Sequence, residues 1–123
     1  MSSFQVGGNV AVNALGQATG PDGNSPYGDR DGGKAVRYIT PCSDSVCTWD
    51  NSDPNDMPLS RWYPTVETLP TGDVAILGGE LYGSFVNSPQ GQQNVPTYEF
   101  WPSRGAPVNS TFLAATMPAN LCE

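Results

Sequence analysis

The sequence predicts an all-β protein built as about two four-stranded antiparallel blades of a β-propeller, and three observations lead there. Gly and Pro contribute 14 and 12 of the 123 residues, so turn-formers interrupt almost every window long enough to carry a helical period. The apolar segments that remain are short, β-branched or aromatic, and bounded by turn residues. The two halves also share a pattern of apolar strand, Gly-Gly end, long loop and aromatic strand: FQVGGN precedes AVRYIT, and VAILGGE precedes TYEFWP. Each four-stranded unit leaves faces and edges that a closed ring would cover. Two such units are therefore expected to be completed by assembly with further copies.

Taken in order, Phe4 to Asn9 reads as a strand ending at Gly7-Gly8, and the polar, Gly- and Asp-rich tract from Gly16 to Gly33 reads as a surface loop. Ala35 to Thr40 alternates and reads as a strand, with Ser45 to Asp50 as a shorter outer one. The Asn- and Asp-rich stretch from Asn51 to Pro58 joins one sheet to the next. Residues 1–58 thus form a first, partial blade and residues 59–123 a second, within one domain.

In the second half, Arg61 to Leu69 is β-branched and aromatic, and Pro70 to Asp73 is a turn. Val74 to Gly79 is a continuous apolar run, the mark of a strand covered on both faces. A projecting loop spans Leu81 to Pro96. Thr97 to Trp101 is a strand closed by Pro102, and Thr111 to Thr116 supplies the last strand. Pro64 biases Tyr63 toward an extended conformation.

Composition excludes several functions. Five basic against twelve acidic residues give a net charge of −7, which repels phosphate backbones and anionic membranes, so nucleic acid is not an expected partner. No apolar run is long enough to cross a bilayer, and Met1-Ser2-Ser3 lacks the features of a signal peptide. The 123 residues contain no His. That removes the commonest general base near neutral pH, the Ser/His and Cys/His nucleophile pairs, and imidazole ligation of a metal.

The spacing of Cys42 and Cys47 suits a local disulfide better than a redox motif, with two unpaired thiols as the alternative. Cys122 is left over, either free or paired between chains. Asn109-Ser110-Thr111 is an N-glycosylation sequon. Asp22, Asp29 and Asp31 lack the ligand spacing of a calcium loop and read as a solvated turn. Nothing sets Glu67 and Asp73 across a sugar bond, so both read as surface carboxylates. Trp49, Trp62, Trp101, Tyr82, Tyr98 and Phe100 are expected to serve mainly in packing, with Trp62, Tyr82 and Trp101 as candidate sugar-stacking surfaces.

Six segments give the chain a family likeness: GGN at Gly7 to Asn9, DGGKAVRYITPC at Asp31 to Cys42, RWYPT at Arg61 to Thr65, GDVAILGG at Gly72 to Gly79, YEFWPS at Tyr98 to Ser103 and PANL at Pro118 to Leu121. In these it resembles the N-terminal, kelch-type propeller region of fungal glyoxal oxidase-like proteins, relatives of galactose oxidase. The resemblance implies a secreted protein. It also implies a copper held in the full-length family by two His and two Tyr, one Tyr cross-linked to a Cys and carrying the radical.

RWYPT puts Tyr63 at the cross-linked position. The Cys partner would precede GGN, where this sequence starts, and the remaining ligands belong to later blades. Cys42 and Cys47 match a structural pair of the family. One phenol without imidazole does not make a copper site. The expectation is therefore a non-catalytic secreted protein without cofactor. It would act by surface binding, lectin-like or immunomodulatory, toward carbohydrate or a cell-surface receptor. The alternative is a fragment of a copper-radical oxidase that oxidises aldehydes or alcohols and releases hydrogen peroxide.

Overall fold

The computed structural model describes residues 2–8, 32–81 and 94–116. Among these residues six strands form two antiparallel sheets. β1 (Ser3–Val6) pairs with β2 (Val36–Ile39), Ser3 opposite Ile39 and Val6 opposite Val36. β3 (Thr65–Thr68), β4 (Val74–Leu77), β5 (Thr97–Trp101) and β6 (Val108–Asn109) form a four-stranded meander in chain order.

The mostly β expectation holds, with shifts in particular elements. Thr111 to Thr116 is not a strand: Thr111–Ala115 is a short helix, α1. Ser110 caps it, its Oγ accepting from Leu113 N at 3.3 Å, and this local cap outweighs the β-branched character of the segment. Ser45 to Asp50 is not an outer strand either. Only Asp50 bridges to Tyr38, and Ser45 has φ 61°, which takes the loop out of a ladder. Arg61 to Leu69 narrows to Thr65–Thr68, with Trp62 joined to Glu80 by an isolated bridge.

The sheets share one core. Val74 and Ile76 of β4 are buried against Val36 of β2 and Met57, with Phe4, Val6 and Trp101 packed around them. The apolar run of β4 is nevertheless buried on one face only, because Ala75 and Leu77 are half-buried. The neighbouring strand β3 is exposed along its whole length, and with Ala75 and Leu77 only half-buried the expectation of a strand covered on both faces is corrected. Phe4, Tyr38 and Trp101 form an aromatic cluster that links the sheets, with ring centroids 4.9–6.1 Å apart. Across β4 and β5, Val74 stands opposite Trp101 and Ile76 opposite Glu99, so the core face of β5 carries a carboxylate.

Candidate functional site

The segment Arg61 to Pro64 lies where the two sheets meet, and Gly-Gly ends approach it from both sides. Gly8 N donates to Arg61 O at 3.1 Å, and Arg61 N donates to Gly33 O at 2.8 Å. At Gly7, φ +70°, a Cβ would collide with Arg61 O; at Gly79, φ +89°, it would stand 2.9 Å from Trp62 O. Only glycine allows both the conformation and the approach. The repeated Gly-Gly pairs of the sequence are thus places where backbone presses on backbone.

The Arg61 side chain is fully buried. Its Nε donates to Glu99 Oε1 at 2.8 Å, Nη1 to Gly78 O at 2.6 Å and Nη2 to Thr97 Oγ1 at 2.7 Å. A guanidinium carries five donors in a planar fork, and here the fork spans the end of β4 and the start of β5. Nothing in the local sequence marks this arginine as interior. The available signal was Glu99, an acid at a core-facing position of an aromatic strand.

With Arg61 pinned inward, the next residues point elsewhere. Trp62 N donates to Glu80 O at 2.6 Å and Glu80 N returns a bond to Trp62 O at 2.8 Å, fixing the backbone on either side of the indole. Tyr63 then takes φ 53°, in the left-handed region, so the extended conformation expected from Pro64 is corrected. The bonds at Trp62 and the contacts at Gly7 and Gly79 override the local pre-proline preference. The Tyr63 ring is 65% exposed and lies against Trp62, centroids 4.3 Å apart. Together they make an aromatic step on a rigid base.

Glu80 is 2% exposed, and burial holds its carboxyl above the ordinary carboxylate range. Trp101, by contrast, is engaged in packing with Phe4 and Tyr38. Tyr98 and Phe100 meet edge to face, and Arg104 stacks on Phe100 while pairing with Asp73. Glu67 is exposed on β3. Trp49 is 45% exposed.

Cys42 and Cys47 form a disulfide with Cα atoms 5.6 Å apart. With Asp44 they are the one group of metal-ligating side chains drawn together among the described residues, and two of the three ligands are consumed by the bond. Beside this loop, hydrogen bonds from the Ser52 hydroxyl and N–H, then from Tyr38, with a smaller contribution from Asn55, hold the Asp50 carboxyl below its ordinary range against a slight opposing effect of burial. The same hydrogen bond and the Asp50 charge push the Tyr38 phenol up. Asn109 is exposed on β6, and Ser110 and Thr111 of its sequon begin α1. Tyr82, Cys122 and the acids Asp22, Asp29 and Asp31 lie outside the described residues.

A family model described as glyoxal oxidase N-terminus matches residues 18–116. Over 67 residues the chain is 37% identical to "Aldehyde oxidase GLOX" of Vitis pseudoreticulata, covering 52% of this chain and 13% of that protein. The chain thus spans a small part of the curated relative it matches. No solved structure matches.

Proposed function

The chain belongs to the glyoxal oxidase N-terminal family, and from that premise we propose that these 123 residues act as a non-catalytic, secreted binding module. The observation that carries the proposal is the combination at Arg61 to Pro64. An exposed Tyr63 ring stands against a half-buried Trp62 on a locked backbone, with no imidazole anywhere in the sequence to accompany the phenol. A tetragonal cupric site takes several nitrogen or oxygen ligands, and a single tyrosine does not fit that requirement.

In this reading the β3–β4–β5–β6 meander is one kelch-type blade and β1–β2 part of another. The four exposed residues of β3 then form an edge and face that a neighbouring unit covers in a homodimer or higher assembly. Trp62 and Tyr63 supply the flat, amphipathic surface on which sugar rings stack. Carbohydrate, free or on a cell-surface receptor, is the class of target.

The test combines three measurements on the purified chain. Tryptophan fluorescence is followed during titration with neutral oligosaccharides, for wild type and for Trp62→Ala. Peroxide release is measured with copper and an aldehyde, against a metal-only blank. Light scattering gives the mass. Saturable quenching lost in Trp62→Ala, peroxide at the blank level and a mass above one chain are expected. Peroxide above the blank, or no quenching with any sugar, overturns the reading.

The position of Tyr63 favours a second reading. RWYPT resembles the segment that carries the cross-linked tyrosine of the copper-radical oxidases, and the residue is displayed here rather than packed away. Under that reading the chain contributes one wall of an oxidase site, and peroxide appears only when the other blades are supplied.

A further inference from the structure

Two buried side-chain oxygens lack a hydrogen-bond partner among the described residues, Glu80 Oε2 and Asn94 Oδ1. They belong to residues that face each other across an antiparallel bridge. Val95 N donates to Gly79 O at 2.9 Å, which makes Glu80 and Asn94 a pair of the non-hydrogen-bonded kind, the kind whose side chains stand closest. On its other side Glu80 bridges to Trp62, so the three residues form one row across the sheet end.

Both orphan atoms, as an ionised carboxylate and an amide carbonyl, are acceptors. Two acceptors on bridged residues, both out of water, each carry an unmet desolvation cost. A proton on the carboxylate converts it to a donor and satisfies both. The cation on the adjoining segment, Arg61, is already engaged by Glu99, Gly78 and Thr97. Glu99, the acid on β5, is bound in return by Arg61, and the Tyr63 phenol is on an exposed ring.

We propose that Glu80 is a neutral carboxylic acid whose Oε2–H donates to Asn94 Oδ1, a shared proton that latches the Glu80–Asn94 bridge and is released as pH rises. Burial of the carboxyl acts in the same direction. A carboxyl that holds its proton more tightly in the folded chain stabilises it fully below the ordinary Glu value of about 4.3, and that contribution fades as pH rises through the higher folded value. Above that value the latch is open and an unpaired carboxylate faces the Asn94 carbonyl.

Glu80→Gln tests this, because its amide donates to Asn94 Oδ1 as the acid does and never ionises. Thermal midpoints of both proteins are compared from acid to neutral pH, with and without calcium. The acid carbonyl stretch is sought by infrared difference between them. The two midpoints should coincide at acid pH, and wild type should fall progressively below Glu80→Gln toward neutral. An acid carbonyl band present in wild type and absent in the variant should accompany this.

A variant less stable than wild type at neutral pH overturns the proposal, since it means an ionised Glu80 accepting from an Asn94 amide turned the other way. A pH-independent difference also overturns it. So does a calcium-dependent rise in the wild-type midpoint absent from Glu80→Gln, which puts a cation between the two oxygens.

Discussion

Replacing Arg61 by Met removes a fully buried cation while keeping most of the stem that packs under the sheet end. The guanidinium holds Glu99 at 2.8 Å, and Glu99 is itself only 6% exposed. Breaking a buried pair by deleting one partner costs about 3–5 kcal/mol, because the remaining charge is left dry and unpaired. The carbonyl of Gly78 and the hydroxyl of Thr97 lose a donor in the same step. At about 0.05–0.15 kcal/mol per residue, a chain of this length has about 6–18 kcal/mol of stability in total. Met at position 61 therefore removes a large share of it.

Removing both charges, Arg61→Met with Glu99→Leu, leaves no orphan and should recover most of the loss. Urea unfolding of wild type, the two single variants and the double variant, followed by tryptophan fluorescence, measures the cycle. A cost below about 1 kcal/mol for Arg61→Met, or a double variant as unstable as the sum of the singles, refutes the reasoning, since either shows that the pair is not a desolvated, mutually dependent unit.

Gly79→Ala should cost more than Gly72→Ala. Both sites have φ near +90°, where a Cβ costs about 1–2 kcal/mol, but at Gly79 it also meets Trp62 O at 2.9 Å while at Gly72 it meets nothing; denaturation midpoints of the two variants make the comparison. Replacing Cys42 and Cys47 together by Ser opens a small ring, with an expected loss of about 2 kcal/mol by calorimetry and no change in the β signal of circular dichroism. Asp50, whose carboxyl is held low by Ser52 and Tyr38, stabilises the fold above its ordinary titration range and loses that contribution as pH falls through its depressed folded value. Asp50→Asn should flatten the acid limb of stability against pH below about 4; an unchanged acid limb counts against the hydrogen-bonded carboxylate.

The elements legible in the sequence are those whose local chemistry and tertiary place agree. TYEFW alternates, ends at a proline and is strand β5 as expected; VAIL supplies β4 and its buried Val74 and Ile76. Cys42 and Cys47 joined as their spacing suggested. The misses come from interactions that a local reading does not contain. Thr111 to Thr116 has strand-like residues, but a hydroxyl one position earlier caps a helix turn instead. Tyr63 precedes proline, yet its backbone is set by the bonds of the preceding Trp62 to Glu80 and by Gly7 and Gly79 packed close against the segment. Arg61 was legible as part of a motif but not as an interior residue, because arginines default to the surface and its partner Glu99 is 38 residues away. The aromatic step depends on that arginine, so its rigidity was hidden with it.

The position of Arg61 has a consequence for how the polypeptide is assembled in time. Its backbone is tied to Gly8 and Gly33 in the first half of the chain, and its side chain to Gly78, Thr97 and Glu99 in the second. Neither half completes its own polar network without the other, and Val36, Val74 and Ile76 divide the apolar interior between them. The two sheets are therefore committed to co-folding as a single cooperative unit, and the native contacts of both are gained in one event. A chain severed in the connection near Met57 would give two pieces that remain unstructured apart and regain order only by reassociation.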